Sequence, residues 1–372
     1  MSSALTDLLR YPIVQAPMAG GVSVPQLAAA VSEAGGLGFL AGGYKTADGM
    51  YQEIKQLRGL TGRPFGVNLF LLQPEHPGAS TGSTGTAAAT PPSAAVEVYA
   101  DQLAGEAAWY KTELGDPDSG RDDGYDAKLA VLLDNPVPVV SFHFGTPTPD
   151  VLDSLRRAGT LTLVTATTAE EALAVQHAGA DAVIVQGVEA GGHQGTHRDN
   201  TENDGCGIGL LTLIAQVRET VRIPVVAAGG IMRGSQIAAA LAAGASAAQL
   251  GTAFLATPES GAPALHKQAL TDPRFVRTEL TRAFSGRPAR ALVNRFMREH
   301  GPYAPAAYPE VNHLTSPLRK AAAKAGDAQG MALYAGQGHR MARELPAGEL
   351  VEVLAAELEA ARTVLSQGGA DR

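Results

Sequence analysis

Short hydrophobic runs alternate with amphipathic stretches from residue 12 to about residue 270. This alternation is typical of repeated β-α units that build a parallel sheet. The hydrophobic runs predict eight strands, at 12–15, 37–41, 65–69, 138–142, 160–164, 182–186, 224–228 and 247–250. Helical patterns lie between most of them, at 24–34, 47–58, 149–158, 168–178 and 234–243, and each ends in or near glycine. Because a closed barrel of this type needs eight strands, the pattern predicts an α/β fold of the (β/α)8 TIM-barrel class.

Two segments depart from the β-α rhythm. Residues 73–135 follow the third predicted strand and begin with a stretch rich in Gly, Ser, Thr and Pro, so we interpret them as an insertion at the barrel mouth. Its later part, 94–114, has a helical pattern and carries Trp109; it either folds over the site as a lid or decorates the surface. Residues 271–372 lose the alternation and predict a mostly helical C-terminal subdomain that packs near the active site of the 1–270 barrel.

Composition narrows the class of protein. The chain has 372 residues, of which 45% are hydrophobic and 18% charged, so a large core can be buried. A net charge of −8 argues against a basic surface for nucleic acid. The single cysteine, Cys206, excludes an internal disulfide and fits a reducing compartment. The start of the chain has no secretory pattern, and no apolar run reaches the length of a membrane span. We therefore expect a cytoplasmic protein, monomeric or homodimeric, with a small-molecule substrate and no membrane partner.

The loops after the last two predicted strands are glycine-rich. In such barrels, phosphate groups bind at the loops that follow strands seven and eight. The seventh strand ends in VVAAGGI, with Gly229 and Gly230, and the eighth in AAQLGTAF, with Gly251 and Thr252. One such loop alone is more simply a tight turn. Two on adjacent strands favour a phosphate site made of bare backbone amides.

Amide side chains and a permissive turn lie at three other strand ends. The segments are QAPMAGG, GVNLF with Asn68, and VIVQG with Gln186. An uncharged isoalloxazine ring needs directional hydrogen bonds and a flat backbone wall, which suit amides better than carboxylates. The alternative is that each amide only satisfies barrel backbone.

The loop GVEAGGHQGTH after the sixth strand places His193 among glycines, where no pattern of apolar residues predicts that it is part of the core. A histidine at the barrel mouth is a good general base or neutral hydrogen-bond partner, so His193 is the main catalytic candidate. His197 more simply positions the loop, and Glu189 caps or salt-bridges it. His143, in VVSFHFG, is a secondary candidate.

Other chemistries have weaker support. Cys206 lies in the same long loop, but its neighbours include no activating base, which disfavours a thiol nucleophile. The chain has no CxxC or HExxH spacing and its histidines are scattered, so no metal site is predicted.

Taken in order, the segments QAPMAGG, GVNLF, VVSFHFG, GVEAGGHQG, AAGGI and QLGTAF resemble the nitronate monooxygenase family. The resemblance covers nearly the whole chain, and GxEAGGHxG is its most specific element. The downstream segments AFSGRPAR and YPEVNHLTSPLR also look like members of this family.

The resemblance implies a noncovalent FMN and the oxidation of an alkyl nitronate, such as propionate 3-nitronate, with O2 to a carbonyl compound and nitrite. NAD(P)H is then not consumed. His193 would face the substrate as base or anion partner, and Tyr303, Tyr308, Lys320 and His143 are further substrate candidates. The motifs carry over these FMN contacts: Met18, Asn68, Gln186, Gly191, Gly230, Gln249, Gly251 and Thr252.

Two alternatives stay open at this stage, and a third is disfavoured. Related barrels with the same loops reduce an enoyl thioester or a quinone with NAD(P)H. A noncatalytic flavin-binding protein would result if the His193 loop were only structural. A barrel similar to inosine monophosphate dehydrogenase would need a catalytic cysteine, and Cys206 lacks the neighbours for that role.

Overall fold

The structure is a computed structural model that describes residues 4–72, 92–120, 122–199, 201 and 207–367. Eight parallel strands form the central sheet, and all eight predicted strands are confirmed to within two residues at each end. They are β1 Ile13–Gln15, β2 Gly38–Ala41, β3 Phe65–Phe70, β4 Val139–His143, β5 Leu161–Ala166, β6 Ala182–Gln186, β8 Val225–Ala228 and β9 Ala247–Leu250. Three further strands form a small antiparallel sheet: β7 Gly192–His193, β10 Thr278–Thr281 and β11 Ala289–Leu292.

The order of the large sheet is β1-β9-β8-β6-β5-β4-β3-β2, and every ladder in it is parallel. A parallel bridge between Val14 and Leu37 joins the two end strands. The sheet therefore closes on itself, which confirms the predicted (β/α)8 barrel.

Fourteen α-helices are present in the described part of the chain. They are α1 Ala4–Asp7, α2 Pro25–Glu33, α3 Ala47–Leu60, α4 Pro92–Tyr110, α5 Tyr125–Asp134, α6 Pro149–Arg157, α7 Ala169–Ala178, α8 Leu210–Thr220, α9 Gly234–Ala242, α10 Thr252–Leu255, α11 Ala264–Ala269, α12 Arg295–His300, α13 Glu310–Lys324 and α14 Ala347–Gln367. None of them is long and apolar enough to cross a membrane.

Side chains alternate between the two faces of the barrel strands. Val14, Phe39 and Ile184 belong to one buried cluster, which also contains Leu5 of α1. Neighbouring strand residues such as Ile13 and Leu40 belong to a larger cluster with the surrounding helices. The barrel interior is thus a packed core that α1 closes at one end, and only the other end, where the strands have their carboxyl termini, is free for a site.

The C-terminal segment contributes to both the barrel and its mouth. Helix α14 packs against α9 and α2 and fills the position of the eighth barrel helix, which the sequence pattern did not indicate. Strand β11 pairs with β7 on one side and with β10 on the other, and so brings this segment to the His193 loop. Helix α4 of the predicted insertion packs against α13. Residues 73–91, which include most of the low-complexity stretch, lie outside the described residues.

Candidate active site

His193 lies at the barrel mouth inside an aromatic enclosure. Strand β7 holds its backbone opposite Ala289 of β11, and its Nε2 atom is 2.9 Å from Ser285 Oγ. The ring centroids of three aromatic side chains lie around the imidazole, namely Phe144 at 5.7 Å, Tyr308 at 5.5 Å and Tyr334 at 5.5 Å. The imidazole therefore has one fixed polar partner and otherwise aromatic neighbours.

The surroundings favour the uncharged form of His193. Burial lowers the pKa of His193 well below its usual value, and the positive charges of Arg287 and Arg319 lower it further. Burial also lowers the pKa of His143 to about 3. Both imidazoles are consequently neutral at physiological pH, and a neutral imidazole can accept a proton.

Gln186 shapes the loop that carries His193. Its Nε2 atom donates to the carbonyl oxygen of His193 at 3.1 Å, and its Oε1 atom accepts from Gly195 N at 2.7 Å. A side chain at position 195 would collide with His143, because a Cβ atom there would lie 2.6 Å from His143 Cε1. The amide and the glycine together hold His193 and His143 at the same mouth.

Two other polar residues of this loop, Glu189 and His197, have structural partners. The carboxylate of Glu189 accepts from Leu210 N at 2.9 and 3.1 Å and so caps the start of α8. His197 bonds Thr165 O through Nε2 at 2.7 Å, and its backbone N donates to Glu171 Oε1 at 2.7 Å. These contacts agree with the positioning roles expected for both residues.

The two glycine loops come together at the ends of β8 and β9. Gly229 and Gly230 have φ angles of 126° and 69°, which favour glycine. A Cβ atom on Gly251 would meet only ordinary contacts, at 3.5 Å from Ala16 Cβ and 3.7 Å from Met18 Sδ. Gln249, two residues earlier, has a buried Oε1 atom without a hydrogen-bond partner among the described residues. A buried acceptor without a donor beside open backbone is what a bound polar ligand would satisfy.

Three more of the predicted cofactor residues are engaged by the protein itself. Met18 N donates to a serine hydroxyl at 2.9 Å, and Asn68 Nδ2 donates to Ser141 Oγ at 3.0 Å. Thr252 Oγ1 accepts from Gly336 N at 2.9 Å.

The close approach of Gly336 also explains why position 191, the first glycine of the AGGH motif, has no side chain. A Cβ atom on Gly191 would lie 2.4 Å from Gly336 N. Gly191 therefore permits the close approach of the C-terminal segment to the His193 loop.

The structure brings one of the three C-terminal substrate candidates to His193. Tyr308 lies in the aromatic enclosure, and its hydroxyl is 3.0 Å from that of Tyr44. Tyr303 is 62% exposed, and Lys320 is also exposed; neither has a contact with His193. Lys320 lies on the solvent side of α13, whereas the positive charge of the preceding residue, Arg319, acts on His193 together with that of Arg287.

The insertion helix α4 does not place its tryptophan at the mouth. Trp109 is 74% exposed, so the aromatic lid that the sequence left open is not formed by this side chain. Other residues of α4, such as Tyr99, are buried against the C-terminal segment, where Tyr99 Oη donates to Ala283 O at 2.8 Å.

Sequence reasoning missed three polar residues of the site: Ser285, Arg287 and Arg319. Arg287 is only 8% exposed, its guanidinium carbon lies 4.1 Å from the centre of the Phe144 ring, and its Nε atom is buried without a partner. Within the described residues no carboxylate bonds it. Ser285 and Arg287 lie in the segment AFSGRPAR and Arg319 in YPEVNHLTSPLR. A local sequence pattern cannot show that the first segment folds against β7.

Neither a cysteine nor a metal cluster joins this site in the described structure. Cys206 lies outside the described residues. Glu106, Glu299 and His300 form a group with metal-compatible spacing, but Arg295 already bonds both carboxylate oxygens of Glu106. The group is better explained as a buried ion-pair network of α4 and α12.

Comparisons with known proteins agree with this architecture. A family model described as nitronate monooxygenase matches residues 2–357. A nitronate monooxygenase from Pseudomonas aeruginosa is 44% identical over 363 residues, covering 96% of this chain and 99% of the relative. A solved structure of nitroalkane oxidase from Streptomyces ansochromogenes is 80% identical, covers 98% of this chain and 100% of its own, and has a TM-score of 0.92. FabK from Thermotoga maritima is 29% identical with a TM-score of 0.74, and covers 99% of both chains.

A closed α/β barrel with a neutral histidine at the mouth, seen together with these relatives, defines a flavin-dependent oxidoreductase of the TIM-barrel class. The chain belongs to the nitronate monooxygenase family.

Proposed function

We propose that the protein binds FMN and oxidises alkyl nitronates with O2 to a carbonyl compound and nitrite. The observation that supports this most directly is the charge pattern around His193. A neutral imidazole lies close to Arg287, a buried guanidinium that bonds Thr196 O and that no carboxylate contacts directly among the described residues, although the charges of Asp199 and Glu171 act on it from farther away. A buried cation without a directly bonded anion is costly, and an anionic substrate lowers that cost by pairing with it. A nitronate supplies such an anion.

The residues at the mouth fit FMN. Its phosphate would be held by the backbone amides of the loops with Gly230 and Gly251 and by the hydroxyl of Thr252. Its ring would meet Met18 and the amides of Asn68 and Gln249. The buried, unpartnered Oε1 atom of Gln249 is the clearest sign of fit, because a ring N–H group is the donor it lacks. Gln186 and Gly191 would act mainly by fixing the loop beside the ring.

When bound, FMN takes up the electrons released by the substrate, and this chemistry belongs to the cofactor. The chain's own residues bind and orient. Phe144, Tyr308 and Tyr334 exclude water from one side of the imidazole, and Arg287 and Arg319 supply positive charge for the nitro group. A nitronate is already deprotonated, so its oxidation requires no base.

Neutral nitroalkanes are a second candidate substrate class. The solved structure with 80% identity is described as a nitroalkane oxidase, and a neutral nitroalkane must lose a proton from carbon. His193 is neutral at physiological pH and can take that proton at the mouth.

The test compares two substrates in the FMN-loaded protein. Nitrite release and O2 consumption are measured with propionate 3-nitronate and with neutral nitroethane, in the wild type and in His193→Asn. We expect wild-type turnover of the nitronate, and a larger loss in His193→Asn for nitroethane than for the nitronate. Equal losses for both substrates would contradict the base role, and absence of nitrite from either substrate would contradict the proposed function.

A further inference from the structure

The hydroxyl of Ser285 is the fixed polar partner of His193 and is 1% exposed. Three of its contacts meet hydrogen-bond geometry, with His193 Nε2 at 2.9 Å, Arg287 O at 3.2 Å and Arg287 N at 3.4 Å. The Tyr334 hydroxyl lies farther out and also acts on Ser285. The carbonyl oxygen can only accept, and the amide N–H can only donate. The histidine nitrogen can do either, depending on the tautomer.

One arrangement of protons satisfies all three contacts. A serine hydroxyl has a single hydrogen and two acceptor sites. If that hydrogen goes to Arg287 O, Ser285 Oγ accepts from Arg287 N and must also accept from His193 Nε2. If the hydrogen went to His193 Nε2 instead, Ser285 Oγ and Arg287 O would face each other as two acceptors with no hydrogen between them. The complete set of bonds therefore requires the proton of His193 on Nε2.

The loop that carries Ser285 is rigid enough to impose this choice. Thr315 Oγ1 donates to Phe284 O at 2.5 Å, and Gly286 N donates to Arg282 O at 2.8 Å. Arg282 in turn forms a bidentate ion pair with Asp199 at 2.8 and 2.6 Å. A Cβ atom on Gly286 would lie 2.2 Å from Ala307 O, so this turn is closely packed against Ala307. Ser285 cannot follow the imidazole if the ring turns.

We infer that Ser285 is a positioning residue that holds His193 as the Nε2–H tautomer, so that Nδ1 is the atom that takes the substrate proton. His193 Nδ1 makes no hydrogen bond to any side chain or backbone group in the described ranges. Once Nδ1 has accepted a proton, the Nε2–H bond to Ser285 Oγ is retained and becomes charge-assisted. It then stabilises the imidazolium in surroundings where Arg287 and burial oppose it. The kinetic part of this inference rests on the proposed function, whereas the tautomer does not.

The experiment uses the FMN-loaded protein labelled with 15N-histidine. Long-range 1H–15N correlation spectra show which ring nitrogen carries the proton, and His193→Asn identifies the signal. We expect Nε2–H in the wild type, a mixture of both tautomers in Ser285→Ala, and Nε2–H again in Ser285→Thr. The matched control is Ser32→Ala. It removes a buried hydroxyl that bonds Pro64 O at 2.8 Å and accepts from Gly38 N at 3.1 Å at the opposite end of the barrel, and it should leave the His193 signal unchanged.

Kinetics with nitroethane provides the second readout. In Ser285→Ala we expect kcat to fall about 10-fold with little change in KM, because a misplaced base loses part of the advantage of a positioned one. Ser285→Thr should keep kcat near the wild-type value. Nδ1–H in the wild type, or an unchanged tautomer in Ser285→Ala, would overturn the inference. If the tautomers are as expected but no nitro compound is turned over, the result supports the role of Ser285 and contradicts the proposed function.

Discussion

The guanidinium of Arg287 stacks on Phe144, with 4.1 Å between its central carbon and the ring centre. Phe144 in turn contacts the His193 ring edge-on, at 5.7 Å. The aromatic ring thus holds a buried cation next to the candidate base without neutralising it. This relationship explains how one site can favour both an uncharged imidazole and an anionic substrate.

Replacing Arg287 should separate the two substrate classes. In Arg287→Gln we expect KM for propionate 3-nitronate to rise about 10- to 100-fold, since a hydrogen bond to a charged group contributes about 1.5–3 kcal/mol. KM for neutral nitroethane should change less. Steady-state kinetics measures both constants, with flavin absorbance as a check on folding. Arg298→Gln, at an exposed position of α12, is the matched control, and an unchanged KM for the nitronate in Arg287→Gln would contradict the anion-pairing role.

Gln249 should matter for flavin and not for the fold. Because its Oε1 atom has no partner among the described residues, Gln249→Leu removes no internal hydrogen bond from that atom. We expect FMN to bind about 10-fold more weakly, the loss of roughly one hydrogen bond, while the stability of the flavin-free protein does not fall. Flavin fluorescence titration and urea unfolding measure the two quantities.

Gln15 on the neighbouring strand is the control, because its side chain does bond other groups of the protein. Its Nε2 atom donates to Ser23 Oγ at 3.0 Å and its Oε1 atom accepts from Phe39 N at 2.9 Å. Gln15→Leu should therefore lower the stability of the flavin-free protein. If Gln249→Leu behaved in the same way, Gln249 would be a structural residue.

Replacing the three substrate candidates of the C-terminal segment should have different effects on the kinetic constants. Tyr308→Ala opens the aromatic enclosure around His193, so we expect a higher KM for the nitronate. Tyr303→Ala and Lys320→Ala change exposed side chains and should leave kcat and KM as in the wild type. A large kinetic effect at Tyr303 or Lys320 would mean that the mouth closes further in solution than in this structure.

Stability should fall in mild acid through buried histidines. Burial lowers the pKa of His143 to about 3 and that of His266 to about 4, whereas both titrate near 6.5 in the unfolded chain. The unfolded state therefore binds more protons as the pH falls below 6.5. Each histidine then lowers the free energy of unfolding by about 1.4 kcal/mol per pH unit, until the pH reaches its folded-state pKa.

Urea unfolding between pH 7 and pH 4 measures this slope. His266→Gln keeps a donor toward Tyr334 O, which His266 Nε2 contacts at 3.0 Å, and should make the slope shallower. A slope that is the same in wild type and variant would rule out His266 as a source of the acid sensitivity.

The parts of this account that could be predicted from sequence are those encoded locally. Each barrel strand is a short apolar run, and the glycines at 229–230 and 251 follow two of those runs directly. His193 was identifiable because a histidine among glycines has no apolar stripe to join.

The remaining parts depend on contacts between distant segments. Ser285 and Arg287 reach His193 only because β11 pairs with β7, about 96 residues away along the chain. The two-residue strand β7 is too short to show periodicity. Helix α14 has an ordinary amphipathic pattern, which does not reveal that it packs between α9 and α2. The resemblance to the family pointed to Tyr303 and Lys320 as substrate residues. Only the packing of α13 shows that Arg319, and not Lys320, faces the site.

Anaerobic mixing of the oxidised, FMN-loaded protein with propionate 3-nitronate and, separately, with NADH and NADPH tests the proposed activity. The visible absorbance bands of the flavin report electron transfer. We expect rapid loss of the oxidised flavin bands with the nitronate and no change with either nicotinamide. Prompt bleaching by NADH or NADPH, with no response to the nitronate, would contradict the proposed activity and indicate a reductase.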